Sequence, residues 1–443
     1  MSNSKLTNLI VKYEKKDRKL NYIMISVAPM IQYTDRHWRY LFRAISSHTT
    51  LYTEMTMDTA LTYNPTNLDD FIGYSKGVED PLVIQLGGSD PVSLSEAAYM
   101  CESYGDFEAI NLNCKLTNTY LYNTHVHYTH INFIRLYLIY AIGGCPSNKA
   151  KKAGFGAELM LEPELVQRIL YAMKRKVTHT DITVKCRIGV SGKETFDDLV
   201  EFILMLNSVG IKHVIIHARS CVLRGLSPAQ NRSVPPLNYE WVHKLVLLFP
   251  DMKFTLNGGI TTFDSAITQL GHNYELSPKP DFPANHAIGT TDGVHGVMIG
   301  REAYNNPFLF TQADSIFYNT KHSNNKFLTR RDILDYYLDY ATDAQEKGVY
   351  GSNTCNILKP LHNFFAHTPT NREYKRALDH AIKMYTTTAT GTAGNTVSES
   401  RHRSSYVANS TGTTSTPLGL EDVVWKVVEE TVSAELLDRP LVR

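Results

Sequence analysis

The run HVIIHAR (213–219) is a short apolar stretch that ends in polar residues, and KFTLNGG (253–259) and HGVMIGR (295–301) have the same design. Five earlier runs share it: ISVAPM (25–30), LYTEM (51–55), LVIQLGG (82–88), EAINLN (108–113) and ITVKCRIG (182–189). Near-continuous apolar runs are typical of strands covered on both faces. Because helical patterns separate them, the eight runs predict a parallel sheet of the α/β class, closed into a (β/α)8 TIM barrel.

Each of the eight runs carries a polar or chemically useful residue near its C-terminal end. These residues are Met30, Glu54, Gln85, Asn113, Lys185, His217, Asn257 and Arg301. A barrel enzyme builds its active site at the rim formed by these strand ends. The pattern therefore places the candidate site among these side chains.

The chain has 443 residues, enough for a barrel of roughly 250 residues and a smaller second domain. We expect an N-terminal extension over residues 1–24 and the barrel over residues 25–319. The run TRRDILDYYLDYATDAQEKG (329–348) has apolar residues at helical spacing, which predicts a small helical domain over residues 320–385. Residues 386–443 form a low-complexity tail rich in Ser, Thr and Gly, whose end (LEDVVWKVVEETVSAELL) has the pattern of a helix.

Two segments interrupt the barrel pattern. Residues 272–292 contain Pro, Asn and Gly and are interpreted as a surface loop insertion. Residues 115–142 are rich in Tyr, Asn, Thr and Ile and have almost no acidic residues, which favours a translated intron or an insertion. Back-translation of Cys114-Lys115-Leu116 allows the splice signal GTAAGT, and Ile142-Gly143 allows a terminal AG in the same frame. A lineage-specific loop is the competing interpretation.

Composition excludes several classes of protein. Lys plus Arg number 45 and Asp plus Glu 44, so any nucleic-acid partner must be held by a local basic patch. The six cysteines form no CxxC pair, and HVHYTH (125–130) has no second ligand set near it, so we predict no metal site and no disulfide framework. The chain lacks the apolar core of a signal peptide and any membrane-spanning run. These features predict a soluble protein of a reducing compartment, which is the cytoplasm or, alternatively, an organelle.

Several motifs in this order resemble those of the tRNA-dihydrouridine synthases, specifically the DusA branch. They are SVAPMIQYTDRHWRYLFR, LYTEM, IQLGGSDP, INLN followed by GCPSNKAKKAGFGAELM, TVKCRIG, IIHAR followed by GLSPAQNR, LNGGI and GVMIGREAYNNP. The similarity covers about residues 25–385, apart from the two interrupting segments. It implies an FMN-dependent oxidoreductase that reduces D-loop uridines of tRNA, at positions 20 and 20a, with NADPH or NADH as the reductant.

The resemblance also implies which residues hold FMN. Loops after strands seven and eight commonly bind phosphate in barrels, and here they contain glycines and an arginine. Lys185 is expected beside the N1/O2 edge of the flavin, where the reduced ring carries negative charge. The complete expected set is Pro29, Met30, Ile31, Gln85, Lys185, His217, Asn257, Gly258, Gly259, Gly300 and Arg301.

Cys145, in the motif GGCPS, is the residue that the resemblance assigns as proton donor to the uridine. A thiol with an ordinary pKa near 8.5 is mostly protonated at neutral pH and can act as a general acid. The other cysteines, at 101, 186, 221 and 355, are expected to be buried and inert.

For tRNA, the resemblance implies that Asn113 contacts the uracil edge and that Arg187 and Arg232 contact nearby phosphates. Arg372 and Lys375 are the expected basic contacts of the helical domain, and we expect the barrel to fold without that domain. No obligate protein partner is indicated. Two alternatives remain: an FMN-dependent barrel oxidoreductase that acts on a small molecule, and an inactive RNA-binding relative.

Overall fold

A parallel eight-stranded sheet forms the centre of the molecule. The computed structural model describes residues 25–114, 156–191, 193–271, 293–318, 327–391 and 419–441. The strands are β1 (Ile25–Val27), β2 (Leu51–Met57), β3 (Leu82–Gly87), β4 (Ala109–Asn113), β5 (Asp181–Arg187), β6 (His213–His217), β7 (Lys253–Asn257) and β8 (Gly296–Ile299). They pair in the order β1-β8-β7-β6-β5-β4-β3-β2, and a parallel bridge between Ser26 and Thr50 joins β1 to the start of β2. The predicted TIM barrel is confirmed, with a strand in each of the eight runs.

Side chains alternate between the two sides of the barrel wall. One set packs inside the barrel in a small apolar cluster: Ala28, Tyr52, Val83, Ala109, Ile215 and Met298. The neighbours of these residues in the same strands, such as Ile84, Ile110 and Ile216, belong to the large core between the sheet and the helices. Because alternate residues of a strand share a face, the interior residues Asn111 and Asn113 follow Ala109 toward the rim.

Helices surround the barrel between successive strands. They are α1 (Arg36–Ile45), α2 (Asp58–Thr62), α3 (Asp69–Ile72), α4 (Pro91–Tyr104), α5 (Pro163–Lys176), α6 (Phe196–Ser208), α7 (Tyr239–Leu248), α8 (Phe263–Leu270), α9 (Arg301–Asn305) and α10 (Ala313–Tyr318). Local sequence fixes several starts: Asp90 caps α4 just before Pro91, and Thr195 with Asp198 forms a capping box on α6.

The C-terminal region is helical, as predicted. Its helices are α11 (Arg330–Glu346), α12 (Thr354–Leu358), α13 (Asn371–Gly391), α14 (Leu420–Thr431) and α15 (Ala434–Asp438). The predicted boundary at residue 385 is too early, because α13 continues to Gly391. The terminal helix α14 buries Val424, Val427 and Val428 in the common core, and so belongs structurally to this helical region.

The helical region packs on the barrel through α1 and α11. The ring of Tyr40 stacks on Tyr340 at a centroid distance of 3.8 Å and on Tyr336 at 5.1 Å. His37 Nδ1 lies 2.9 Å from the Tyr340 hydroxyl, and Tyr337 is fully buried. Removal of the helices would expose these aromatic groups to water. This packing argues against the expectation that the barrel folds without the helical domain.

Some predictions concern residues outside the described ranges. They include the extension 1–24, the segment 115–142, the residue Cys145 and the loop 272–292. Within the described ranges, no helix is both long enough and apolar enough to cross a membrane.

Candidate active site

A cavity of about 480 Å³ opens at the rim where the strands end. Residues from β1, β2, β3, β4, β5, β6, β7 and β8 or the loops after them line it. Its predicted members are Pro29, Met30, Ile31, Gln85, Asn113, Lys185, Arg187, His217, Arg232, Asn257, Gly258, Gly259, Gly300 and Arg301. The structure thus brings together all predicted FMN residues and three of the five predicted tRNA residues.

The side of the cavity formed by β3 and β4 is polar and internally bonded. Gln85 Nε2 donates to Asn111 Oδ1 (2.8 Å), and Asn111 Nδ2 donates to Thr183 Oγ1 (2.9 Å). Asn113, one alternation beyond Asn111, lines the cavity itself. Asn111 and Thr183 were not among the predicted site residues, although the period of two in INLN places both asparagines on one face. Their hydrogen bonds orient the Gln85 amide.

Lys185 is a buried ammonium group at the end of β5. Its Nζ donates to Asn257 Oδ1 (3.0 Å), and Asn257 Nδ2 donates to the Met298 carbonyl (2.8 Å). Burial, together with the neighbouring Arg187, lowers the pKa of Lys185 to about 8. Among the described residues Asn257 is its one hydrogen-bond acceptor, so an ammonium with three donors has capacity for a ligand.

The loop after β7 allows a ligand to approach the backbone. Gly258 and Gly259 have φ angles of +111° and +74°, a conformation that favours glycine. A Cβ at Gly258 would lie 2.8 Å from His217 Cδ2, and one at Gly259 would lie 2.5 Å from Leu237 Cδ1. The neighbouring loop after β8 supplies Gly300 and the exposed Arg301. Backbone N–H groups beside an arginine suit an anionic ligand.

Charge in the cavity is strongly biased. The described lining residues include four cationic side chains, Lys185, Arg187, Arg232 and Arg301, and one acid, Glu302. Arg301 Nη2 lies 3.5 Å from the Arg232 carbonyl oxygen, which brings the two arginines to the same edge. A cavity with this balance favours an anionic ligand.

Arg187 has a structural role that the sequence did not reveal. Its side chain is fully buried, and its Nη1 donates to the carbonyls of Ser220 (2.9 Å) and Asn231 (2.9 Å). Asn231 in turn accepts from Val222 N and donates to its carbonyl. Arg187 therefore holds the loop after β6 in place, and its contact with tRNA phosphate stays a prediction.

The loop after β1 also lines the cavity. Gln32 has a φ of +68°, unusual for a residue other than glycine, and its N–H donates to the Glu54 carboxylate. Burial raises the pKa of Glu54, and burial together with Glu54 raises the pKa of Asp35 to about 7. Lys359 of the helical region donates to the Gln32 carbonyl. The helical region thus reaches the rim of the cavity.

The other predicted site residues lie elsewhere. Arg372 is exposed on α13, and Lys375 Nζ donates to Asn363 Oδ1 (2.7 Å). Of the cysteines expected to be buried, Cys101, Cys186 and Cys221 are buried. Cys355 is exposed, so the expectation of burial was wrong for this cysteine. Thr354 and Ile357 of the short helix α12 face the core instead. No cluster of three or more His, Cys, Asp or Glu side chains fit to bind metal occurs in the described ranges.

Comparison with known proteins shows the family of this chain. The profile described as "Dihydrouridine synthase (Dus)" matches residues 26–114, 143–275 and 281–399. The chain belongs to the dihydrouridine synthase family. The match to the Dus family stops at residue 114 and resumes at residue 143, so residues 115–142 lie outside it.

Several curated members of the Dus family are similar to this chain over most of its length. A "tRNA-dihydrouridine(20/20a) synthase" of Synechocystis is 33% identical over 81% of this chain and 90% of that protein. One of Shewanella oneidensis is 33% identical, with coverages of 80% and 87%. One of Xanthomonas axonopodis is 36% identical over 68% of this chain and 73% of that protein.

Proposed function

We propose that this protein is a tRNA-dihydrouridine synthase of the DusA branch. It reduces uridines 20 and 20a of the tRNA D-loop to 5,6-dihydrouridine, with FMN as cofactor and NADPH or NADH as reductant. The relatives named for this reaction support the substrate. The observation that carries the chemistry is the buried Lys185 ammonium in a cation-rich cavity at the barrel rim.

The residues present fit a flavin mononucleotide. The Gly258-Gly259 backbone and the loop at Gly300-Arg301 suit its phosphate, since no Cβ blocks the approach and the guanidinium can donate to two oxygens. Lys185 and Asn257 suit the polar edge of the ring, and Met30 supplies an apolar contact. His217 and Gln85 also line the cavity.

When bound, FMN supplies the hydride that adds to C6 of uracil. Lys185 stabilises negative charge at the ring edge through its buried ammonium, an interaction strengthened by the exclusion of water. Asn113, at the end of β4, donates to or accepts from the uracil edge and orients the base. The target uridine leaves the tRNA fold to reach this depth.

Cys145 donates the proton to C5 of uracil in this proposal. Its motif follows β4 in the chain, and β4 ends at Asn113 on the rim of the cavity. Family membership across residues 143–275 supports this assignment. A thiol that is protonated at neutral pH supplies the proton without a separate activating base.

Contacts with the rest of the tRNA are assigned to basic side chains. Arg232 lies at the edge of the cavity, and Arg187 supports the loop that carries it. On α13, Arg372 is exposed and Lys375 is partly exposed. Recognition of a folded RNA by such a spread of cations relies on shape and phosphate position.

Dihydrouridine mapping tests the proposal in cells. We expect tRNA from cells that lack this gene to carry uridine at positions 20 and 20a, and the reintroduced gene to restore dihydrouridine there. A deletion strain whose D-loop retains its full dihydrouridine content at both positions would contradict the proposed function.

A further inference from the structure

Hydrogen bonds hold several backbone groups of the loop after β1. The Met30 N–H donates to Thr34 Oγ1 (3.0 Å), and the Met30 carbonyl accepts from Tyr33 N and Thr34 N. The Thr34 carbonyl accepts from the buried Arg39 (2.9 Å). The Gln32 peptide is held from both sides, by Glu54 of the barrel and Lys359 of the helical region. Such a strained and over-determined loop is typical of functional sites.

Two large apolar side chains project from this loop. Ile31 is 49% exposed and Tyr33 is 42% exposed, and both line the mouth of the cavity. The ring of Tyr33 meets that of Tyr304 edge-on, with centroids 4.4 Å apart. We call Ile31, Tyr33 and Tyr304 the rim platform. A rigid loop that keeps apolar groups in water indicates a contact made only with a ligand.

One cation lies beside the rim platform, and two more line the same cavity. Lys359 Nζ lies 5.6 Å from the centre of the Tyr33 ring, and Arg232 and Arg301 line the same cavity. The combination of an exposed aromatic ring with nearby cations matches single-stranded nucleic acid, whose bases stack on aromatic rings and whose phosphates pair with Lys and Arg.

We propose that the rim platform stacks one base of the substrate RNA, the immediate neighbour of the uridine that enters the cavity. This inference rests on the proposed function and adds Tyr33 as a positioning residue for its substrate. When the uridine enters the barrel interior, its neighbours lose the stacking contact that they made with it. Tyr33 replaces that lost stacking at the mouth of the cavity.

The test compares Tyr33→Ala, Tyr33→Phe and Tyr33→Trp in the FMN-loaded protein, with unmodified tRNA as substrate. We expect Tyr33→Ala to raise the KM and Kd for tRNA roughly 5- to 150-fold, the loss of one stacked base, with little change in kcat. Tyr33→Phe and Tyr33→Trp keep an aromatic face and should behave like the native protein. Tyr171→Ala, an exposed tyrosine on the outer helix α5, is the matched control and should change nothing.

A substrate change identifies the base itself. Two tRNA substrates each carry one abasic nucleotide, either before or after the target uridine. We expect only one of the two to bind the native protein more weakly, and we expect that penalty to vanish in Tyr33→Ala. Any one of three results would overturn the inference. They are a KM and Kd for tRNA in Tyr33→Ala equal to those of the native protein, abasic penalties on both sides that are as large in Tyr33→Ala as in the native protein, and loss of FMN from Tyr33→Ala. Native protein that neither binds nor reduces tRNA would instead refute the proposed function.

Discussion

At the scale of single residues, Lys185 links the chemistry of the cavity to the stability of the fold. Its pKa drops from 10.5 to about 8 on burial, so the folded, cofactor-free protein disfavours its proton. Below about pH 8 both the folded and the unfolded chain hold that proton, so the loss in the free energy of unfolding is complete. This loss shrinks as the pH rises and is gone above about pH 10.5. In the proposed function this charge binds the cofactor, and it does so at the expense of the stability of the cofactor-free protein.

We therefore expect Lys185→Met to raise the free energy of unfolding of the cofactor-free protein at pH 7, by up to about 3 kcal/mol. The gain should be smaller at pH 9.5, and the variant should retain or reduce FMN poorly. Urea unfolding at the two pH values measures the first effect, and Lys193→Met, at an exposed lysine, is the control. If Lys185→Met were less stable than the native protein at both pH values, the buried charge of Lys185 would not be destabilising.

Cys145→Ala separates the proton from the hydride. The variant should keep FMN and oxidise NADPH, because those steps use other residues, yet reduce tRNA roughly 10²- to 10⁴-fold more slowly for want of its general acid. Product formation in a single turnover measures this. Cys355→Ala, at the exposed cysteine of α12, is the control. Native rates of uridine reduction in Cys145→Ala would remove the thiol from the mechanism.

Sequence could locate residues at strand ends but not the contacts behind them. Lys185, His217 and Asn257 were predictable, because one strand period fixes which side chains reach the rim. The burial of Arg187 and the exposure of Tyr33 were not, since both depend on loops that pack over the strand ends. The sequence places the charge of Arg187 near the site, which suggests a ligand contact. Only the packing shows that its N–H donors already bond the loop carbonyls of Ser220 and Asn231.

At the scale of elements, the turn after β7 depends on glycine at two adjacent positions. Gly258→Ala combines a φ of +111° with a Cβ placed 2.8 Å from the His217 ring. We expect the variant to displace His217 and lose FMN during purification, which absorbance of the purified protein measures. Gly77→Ala has a similar φ of +76° but open space around it, and should retain FMN. Equal FMN content in the two variants would show that the turn is not part of the cofactor site.

The segment 115–142 also belongs to this scale. We propose that it is a translated intron, which its absence from the family match and the splice-like codons at both ends support. The segment lies in the chain between Asn113 and Cys145. In the proposed mechanism these two residues act on one base, and a long insertion between them would weaken control of their geometry. We expect sequencing of the messenger RNA to show a transcript without it, encoding the active protein. A transcript that retains the segment and yields a protein active on tRNA would contradict this.

Strand prediction succeeded because each barrel strand carries its own apolar run. The terminal helix α14 was harder to assign. Its apolar face (Val424, Val427, Val428) is evident in the sequence, but its partner lies across a long Ser/Thr-rich stretch. Sequence therefore predicted the helix and could not predict which domain it completes.

At the scale of the whole molecule, the helical region and the barrel form one packed unit joined through α1. Because truncation would expose this packed surface, charge-changing substitutions test tRNA binding better. Arg372 and Arg376 are exposed one turn apart on α13. We expect Arg372→Glu with Arg376→Glu to weaken tRNA binding, to flatten its salt dependence and to leave FMN in place.

Arg175→Glu is the matched control for this pair. Arg175 is equally exposed but lies near the end of α5, which leads into the start of β5 at the opposite end of the barrel from the cavity. Filter binding at several salt concentrations compares the variants. Equal losses from α13 and from α5 would mean that net charge, and not a surface on the helical region, governs binding.

The reaction of the purified protein shows whether it reduces tRNA uridines with NADPH. FMN-loaded protein, NADPH and unmodified tRNA are combined, and the D-loop nucleosides are analysed by mass. We predict that uridines 20 and 20a each gain two hydrogen atoms, in amounts that follow the NADPH consumed. A flavin that NADPH reduces fully while every uridine of the tRNA stays unreduced would contradict the account.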